Sequence, residues 1–292
     1  MNYRNSLLND LLKKILFHAY FRFRGRKFTN IEGLPNWNFS QQAHRHHAPG
    51  ISVMLRVKNE SSKIRMCLAS IHELFDEIVV IDNGSVDDTR ALVERFIVEH
   101  KASHIKILDY PHQIARCGDE HLETPENSVH SLAYYYNWCL AQCSKAWVFK
   151  WDADMVVPVE SRGLIRDTLR GIRASKLALW NIPGQTVYID GTGVPWASQE
   201  EINHEERAFP NTTMIYYRKA EKWERLQSPF TLHEEYPSGV LFYELKDTRE
   251  DEFSNWTQTS EMSPRKVKEY QNYMLVKAGK QDSSLFARTS LP

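Results

Sequence analysis

Glu77-Ile78-Val79-Val80-Ile81-Asp82-Asn83-Gly84-Ser85-Val86-Asp87-Asp88-Thr89 reads as a strand that runs into a turn and out into a helix. Residues 77–81 form an apolar, β-rich run of strand length. Asn83 and Gly84 are turn chemistry, and Asp87 or Asp88 complements the amino terminus of a helix over 89–100. Upstream, 51–57 is a second β-rich apolar run, and a helix pattern over 61–75 follows, opened by serines that can cap it. Downstream, a strand over 104–108, a helix over 128–142 and a short strand over 146–151 repeat the rhythm. Strands alternating with helices imply crossovers and a mostly parallel sheet, so the fold class is α/β. Ligands of such sheets bind in the loops at the carboxyl ends of the strands. Beyond 157 the rhythm weakens: 160–175 reads as a helix, 177–182 and 212–218 as strands. The last forty residues are charged and polar, with 281–292 read as a loose tail.

The chain has 292 residues, with 37 Lys+Arg against 37 Asp+Glu. That length predicts one large domain with appendages, and the zero net charge argues against a dedicated nucleic-acid binder, which carries a basic excess. Cys67, Cys117, Cys139 and Cys143 form no Cys-x-x-Cys pair. Without a signal peptide they read as reduced thiols of a cytoplasmic protein. No run reaches the roughly 18 apolar residues of a membrane-spanning helix.

Residues 1–48 have a different character. Leu7, Leu8, Leu11, Leu12, Ile15, Leu16, Ala19 and Tyr20 recur at the spacing of a helix with one apolar face. Phe21-Arg22-Phe23-Arg24-Gly25-Arg26-Lys27-Phe28 then alternates aromatic and basic side chains, and residues 1–30 hold seven Lys/Arg against the single acid Asp10. Such an arm suits peripheral contact with an anionic membrane, here the inner face of the cytoplasmic membrane. The alternative is a helix packed on the following domain. His44, His46 and His47 fall in a polar linker.

Two places carry chemistry. In Val148-Phe149-Lys150-Trp151-Asp152-Ala153-Asp154, two aspartates close an apolar strand, and alternation in an extended chain points both to one side. Hard carboxylate oxygens at that spacing suit Mg²⁺ or Mn²⁺, which take one or two protein carboxylates and fill the rest of the shell from phosphates and water. The other is Asp82. Turn chemistry leaves it unexplained at a strand's carboxyl end, where it can hydrogen-bond a ribose hydroxyl or a base edge.

Taken in order, Ser52-Val53-Met54-Leu55-Arg56-Val57-Lys58-Asn59-Glu60, then Ile81-Asp82-Asn83-Gly84-Ser85 with Asp87 and Thr89, then Trp151-Asp152-Ala153-Asp154 resemble glycosyltransferase family 2. The resemblance covers about residues 51–157 and extends to bacterial lipopolysaccharide-core and other cell-surface polysaccharide enzymes. It implies a GT-A (Rossmann-like) fold and a nucleotide-diphospho-sugar donor, with a UDP-sugar favoured. It also implies a divalent cation (Mn²⁺ or Mg²⁺), usually inversion at the anomeric carbon, and a glycan or lipid-linked acceptor. Val57, Asn59, Glu60, Asp82, Asn83 and Asp152 would lie along the donor nucleotide, and Asp154, with Asp152, would bind the metal. Asn137 resembles the asparagine of the helix before the Asp-x-Asp strand, but Tyr135 and Tyr136 replace the usual Ala-Arg pair. Glu205-Glu206-Arg207-Ala208-Phe209 and Trp223-Glu224-Arg225-Leu226 resemble an Arg-x-Phe followed by a His-Glu-x-Leu. Glu224 is thereby the first candidate for catalytic base and Glu206 the second. Relatives often carry a histidine near Glu244. It is absent here, and Lys246 or Arg249 can touch the second phosphate instead.

The expected organisation is a basic amphipathic arm and linker over 1–48, a GT-A domain over 49–250 and a partly flexible C-terminal extension over 251–292. Three rivals are weighed. A haloacid-dehalogenase-type phosphatase shares an Asp-x-Asp-x-Val string but places it on its first strand. A nucleotidyltransferase needs an early Gly-rich loop, and 55–60 has no glycine. A non-catalytic nucleotide- or sugar-binding relative would have no use for the intact aspartate pair.

Overall fold

The computed structural model describes residues 24–41, 47–175, 177–229, 232–258, 260 and 262–292. The amphipathic helix read over 7–20, and His44 and His46, lie outside these residues. In chain order the strands and helices begin with β1 (Lys27–Phe28), β2 (Phe39–Ser40), β3 (Ala48–Val57), α1 (Ile64–Ile71), β4 (Glu77–Asp82), α2 (Thr89–Glu99) and β5 (Ile105–Asp109). They continue with α3 (Asp119–Glu123), α4 (Leu132–Ala141), β6 (Lys145–Asp152), β7 (Met155–Val156), α5 (Arg162–Ala174), β8 (Ala178–Ile189) and β9 (Pro195–Pro210). The last are β10 (Tyr216–Lys219), β11 (Glu224–Gln227), β12 (His233–Glu235), β13 (Phe242–Asp247), α6 (Pro264–Lys277) and β14 (Phe286–Arg288).

One ten-stranded sheet runs β5-β4-β3-β6-β9-β8-β13-β7, with β12 on β8 and β14 on β9. Its first half is parallel, β5 on β4, β4 on β3 and β3 on β6, as the βα rhythm requires. The apolar runs are continuous because this half is covered on both faces. Ile78 and Val80 pack with Ile64, Leu68 and Phe96, while Val79 and Ile81 pack on the opposite side with Tyr134, Tyr135 and Leu140. Cys139 and Cys143 are core residues of that second cluster. The α/β expectation holds here, and the sheet then turns mixed: β9 is antiparallel to both β6 and β8.

Three local expectations are corrected. Helix α1 starts at Ile64, behind Lys63, with no side-chain cap, and Ser61 lies against Asp87, its backbone N–H donating to Oδ2 at 3.0 Å. The sixteen-residue β9 fell in a stretch assigned no element. Residues 281–292, read as a loose tail, place β14 against β9. Phe286 packs there with Tyr188, Phe253, Tyr273 and Val276, and Ser263 caps α6, its Oγ accepting from Lys266 N at 3.3 Å. Close approach of β8 and β13 needs Gly184, where a Cβ would collide with the Phe242 ring. Among the described residues no helix is long and apolar enough to cross a membrane.

Candidate functional site

The carboxyl ends of β3, β4 and β6 open on a cavity of about 1160 Å³. Val57 lines it from the end of β3, Asn59, Glu60 and Asn83 from the loops after β3 and β4, and Asp152 and Asp154 from the corner between β6 and β7. Glu205 and Arg207 on β9, Glu224 on β11 and Lys246 on β13 close it from the mixed half.

The two loops are stitched to each other. Asn59 takes a φ of 56°, a left-handed conformation that asparagine tolerates better than most residues. Its N–H donates to Ser85 Oγ at 2.9 Å, and its Oδ1 accepts from Val86 N at 2.8 Å. The Glu60 N–H donates to Thr89 Oγ1 at 2.7 Å. Asp82 is 4% exposed and uses Oδ1 to accept from Ser85 N at 2.8 Å. Asn83 spends its amide on the carbonyls of Tyr110 and His112, at 3.1 and 2.7 Å. Both residues thus shape the loop that faces the cavity, and Asn83 is the one that lines it.

Asp152 closes β6, while Asp154 lies past the strand in the turn to β7. Both reach the cavity, but their partners differ. Asp152 pairs with Arg56 of β3 and, at 3.1 Å, with Arg207 of β9. Burial alone would raise its pKa, but Arg56 and then Arg207 outweigh that and hold the carboxyl well below the usual range. The Arg56 guanidinium stacks over the Tyr136 ring at 3.9 Å, so this tyrosine of α4 serves as a platform for an arginine of β3. Asn137 lies behind this wall. Its amide donates to Tyr217 O and its carbonyl accepts from Tyr217 N, each at 2.8 Å, which fastens β10 to α4.

Asp154 meets a lysine: Lys246 Nζ lies 2.5 Å from Oδ2, 2.8 Å from Glu244 Oε1 and 3.8 Å from Glu269 Oε1. Lys266 sits against the same two glutamates, and Arg265 and Arg207 flank Glu205. Asp152, Asp154, Glu205, Glu244 and Glu269 therefore face Arg56, Arg207, Lys246, Arg265 and Lys266, and Lys63, with Glu250 and Glu252, adjoins them on the cavity wall. A divalent cation needs hard oxygens not already neutralised. Each carboxylate of the Asp-x-Asp pair already holds a protein cation. The side chains present fit Mn²⁺ or Mg²⁺ only if Lys246 is displaced.

The two candidate bases part company. Glu224, at the start of β11, lines the cavity, and its charge reaches Arg56, His121 and Tyr217. Glu206 is absent from the lining and lies opposite Asn181 of β8, with its pKa raised by burial and by Glu234. Arg249 is spent on Asp247, at 2.5 Å, which leaves Lys246 as the cation on the cavity side. Sequence reading noted Arg207 as a motif landmark but missed its contact with Asp152. It missed Arg56 as well, although a charged residue near the end of an apolar strand was a usable signal.

Glu60 is the most displaced acid whose pKa falls in the neutral range. Burial, and then the neighbouring charge of Asp154, push it to about 8. The folded chain thus keeps a proton that an unfolded glutamate gives up near pH 4.3. Stability is therefore lost as pH rises from about 4.5 toward 8. Glu60→Gln should remove that slope and raise the melting temperature at pH 8 more than at pH 5. Equal slopes in melting curves of the native and variant chains would contradict the assignment.

Residues 52–113 match the family model described as glycosyl transferase family 2. The SPbeta prophage-derived glycosyltransferase SunS of Bacillus subtilis (strain 168) is 27% identical over 122 residues, 42% of this chain and 24% of that protein. The chain thus spans about a quarter of the length of the curated relatives it matches. Among solved structures, Staphylococcus aureus TarS 1–349 in complex with UDP-GlcNAc aligns at a TM-score of 0.46 and 17% identity, covering 80% of this chain and 68% of that one. Glucosyl-3-phosphoglycerate synthase from Mycobacterium tuberculosis, in complex with Mn²⁺, UDP and phosphoglyceric acid, aligns at 0.30 and 21% identity over 52% and 46%.

Proposed function

We propose that this chain, which carries a glycosyltransferase family 2 segment over residues 52–113, moves a sugar from a nucleotide-diphospho-sugar to an acceptor hydroxyl. One observation carries the reading. Val57, Asn59, Glu60 and Asn83 of the matched segment share a single cavity with Asp152, Asp154 and Glu224, which lie beyond that segment in sequence. The nucleoside, with UDP favoured, is assigned to the loops after β3 and β4, beside Asp82, and the diphosphate to the corner holding Asp152 and Asp154. Glu224 takes the acceptor's proton as its oxygen bonds to the anomeric carbon and the bond to the diphosphate breaks, a single displacement that inverts that carbon. The acceptor is a glycan or lipid-linked hydroxyl of cell-surface synthesis. The six-charge basic excess of residues 1–30 then serves contact with the inner face of an anionic cytoplasmic membrane. In place of the Mn²⁺ or Mg²⁺ that the resemblance implies, Lys246 is the cation at Asp154. The phosphatase alternative gains nothing from the topology: β6, with its aspartates, is the fourth strand of the main sheet in chain order.

The test is incubation with UDP-, GDP- and dTDP-linked sugars, with water as the slow acceptor, and measurement of nucleoside diphosphate release. Release from one nucleotide series is expected. No release from any of them would overturn the transferase reading.

A further inference from the structure

Lys246 is almost fully buried, with a side chain 6% exposed, yet it lines the cavity. Its place is built by the sheet: the Leu245 N–H donates to the Asp154 carbonyl at 2.8 Å, which locks the Asp154 turn to β13 one residue before the lysine. Two of its three N–H groups are spent on Asp154 and Glu244. The third carboxylate, Glu269, is 3.8 Å away and outside hydrogen-bond reach.

We propose that Lys246 is the resident cation of the donor site, and that the cavity binds a nucleoside diphosphate through this ammonium without a divalent metal ion. The inference rests on the nucleotide-sugar reading of the cavity. An ammonium meets phosphate as a point charge, and the unspent N–H supplies a direct donor. Asp154 becomes a positioning residue that holds the ammonium at the corner of β6 and β7. A divalent ion on Asp154 would stand at contact distance from a buried ammonium of like sign.

The experiment is calorimetric titration of UDP into the full chain, once with EDTA and once with Mn²⁺. Affinities within about threefold of each other are expected. Lys246→Met should weaken binding in EDTA by about tenfold or more, and Mn²⁺ should restore part of it because Asp154 is freed. Lys246→Arg should keep the chelator-resistant binding. Native binding that appears only with Mn²⁺ and disappears with EDTA would overturn the inference and leave the nucleotide reading standing. No binding of UDP, GDP or dTDP under either condition would overturn both. If melting curves show that Lys246→Met does not fold, the native chain and Lys246→Arg decide the question.

Discussion

Glu224→Gln lowers the turnover of a nucleotide sugar by about 10²–10⁴, the usual worth of a positioned general base, and leaves UDP affinity unchanged. The residue lines the cavity at the first position of β11. Glutamine keeps the shape and the hydrogen-bonding oxygen but cannot accept the acceptor's proton, so the loss falls on kcat. Glu206→Gln is the control. Glu206 lies off the cavity beside Asn181 and near Glu234, and turnover should stay within about twofold, a difference too small for a lost base. A large loss in Glu206→Gln with full activity in Glu224→Gln would reverse the assignment.

Arg207→Met tests the frame that holds the aspartates. Arg207 is 3% exposed and bridges Asp152 and Glu205 at 3.1 and 2.8 Å. Removing one member of a buried ion pair costs about 3–5 kcal/mol. The lower end applies because Asp152 keeps Arg56, Glu205 keeps Arg265, and Asp152 itself is one-third exposed. A loss of about 3 kcal/mol corresponds to a melting temperature lower by roughly 6–12 °C. The effect also has a pH signature. Burial works against the Glu205 charge, but Arg207, with Lys150 and Arg265, pulls its pKa to about 2, and Asp152 is likewise held low. Depressed acids stabilise the fold above their unfolded values near 4 and lose that contribution as pH falls through the folded ones. The gap between native and variant melting temperatures should therefore be full at pH 6 and shrink toward pH 3. A gap independent of pH would mean that Arg207 acts through packing on Phe242 rather than through charge.

The parallel half was legible because strands buried on both faces must be continuous apolar runs. Ile78 and Val80 serve one core, Val79 and Ile81 the other, so periodicity could not mislead. Strand β9 escaped because it contributes Glu205 and Arg207 to a polar cavity and reads Ser-Gln-Glu-Glu-Ile-Asn-His-Glu-Glu over 198–206. A site built on a strand erases the apolar signature of that strand. The Asp-x-Asp string located the corner, but its electrostatics depend on Arg207 and Lys246, which are 55 and 92 residues from their aspartates. No local pattern encodes such pairings. Lys246 was visible as a phosphate contact but not as the partner of Asp154, because their meeting is fixed by β13 adding to β7.

A crystal structure of the chain with UDP bound tests the central claim most directly. The account predicts UDP in the cavity, its nucleoside against Val57 and Asn83 and its diphosphate at the corner of Asp152, Asp154 and Lys246. UDP bound elsewhere on the molecule, or lying reversed with its diphosphate toward the loops after β3 and β4, would contradict it.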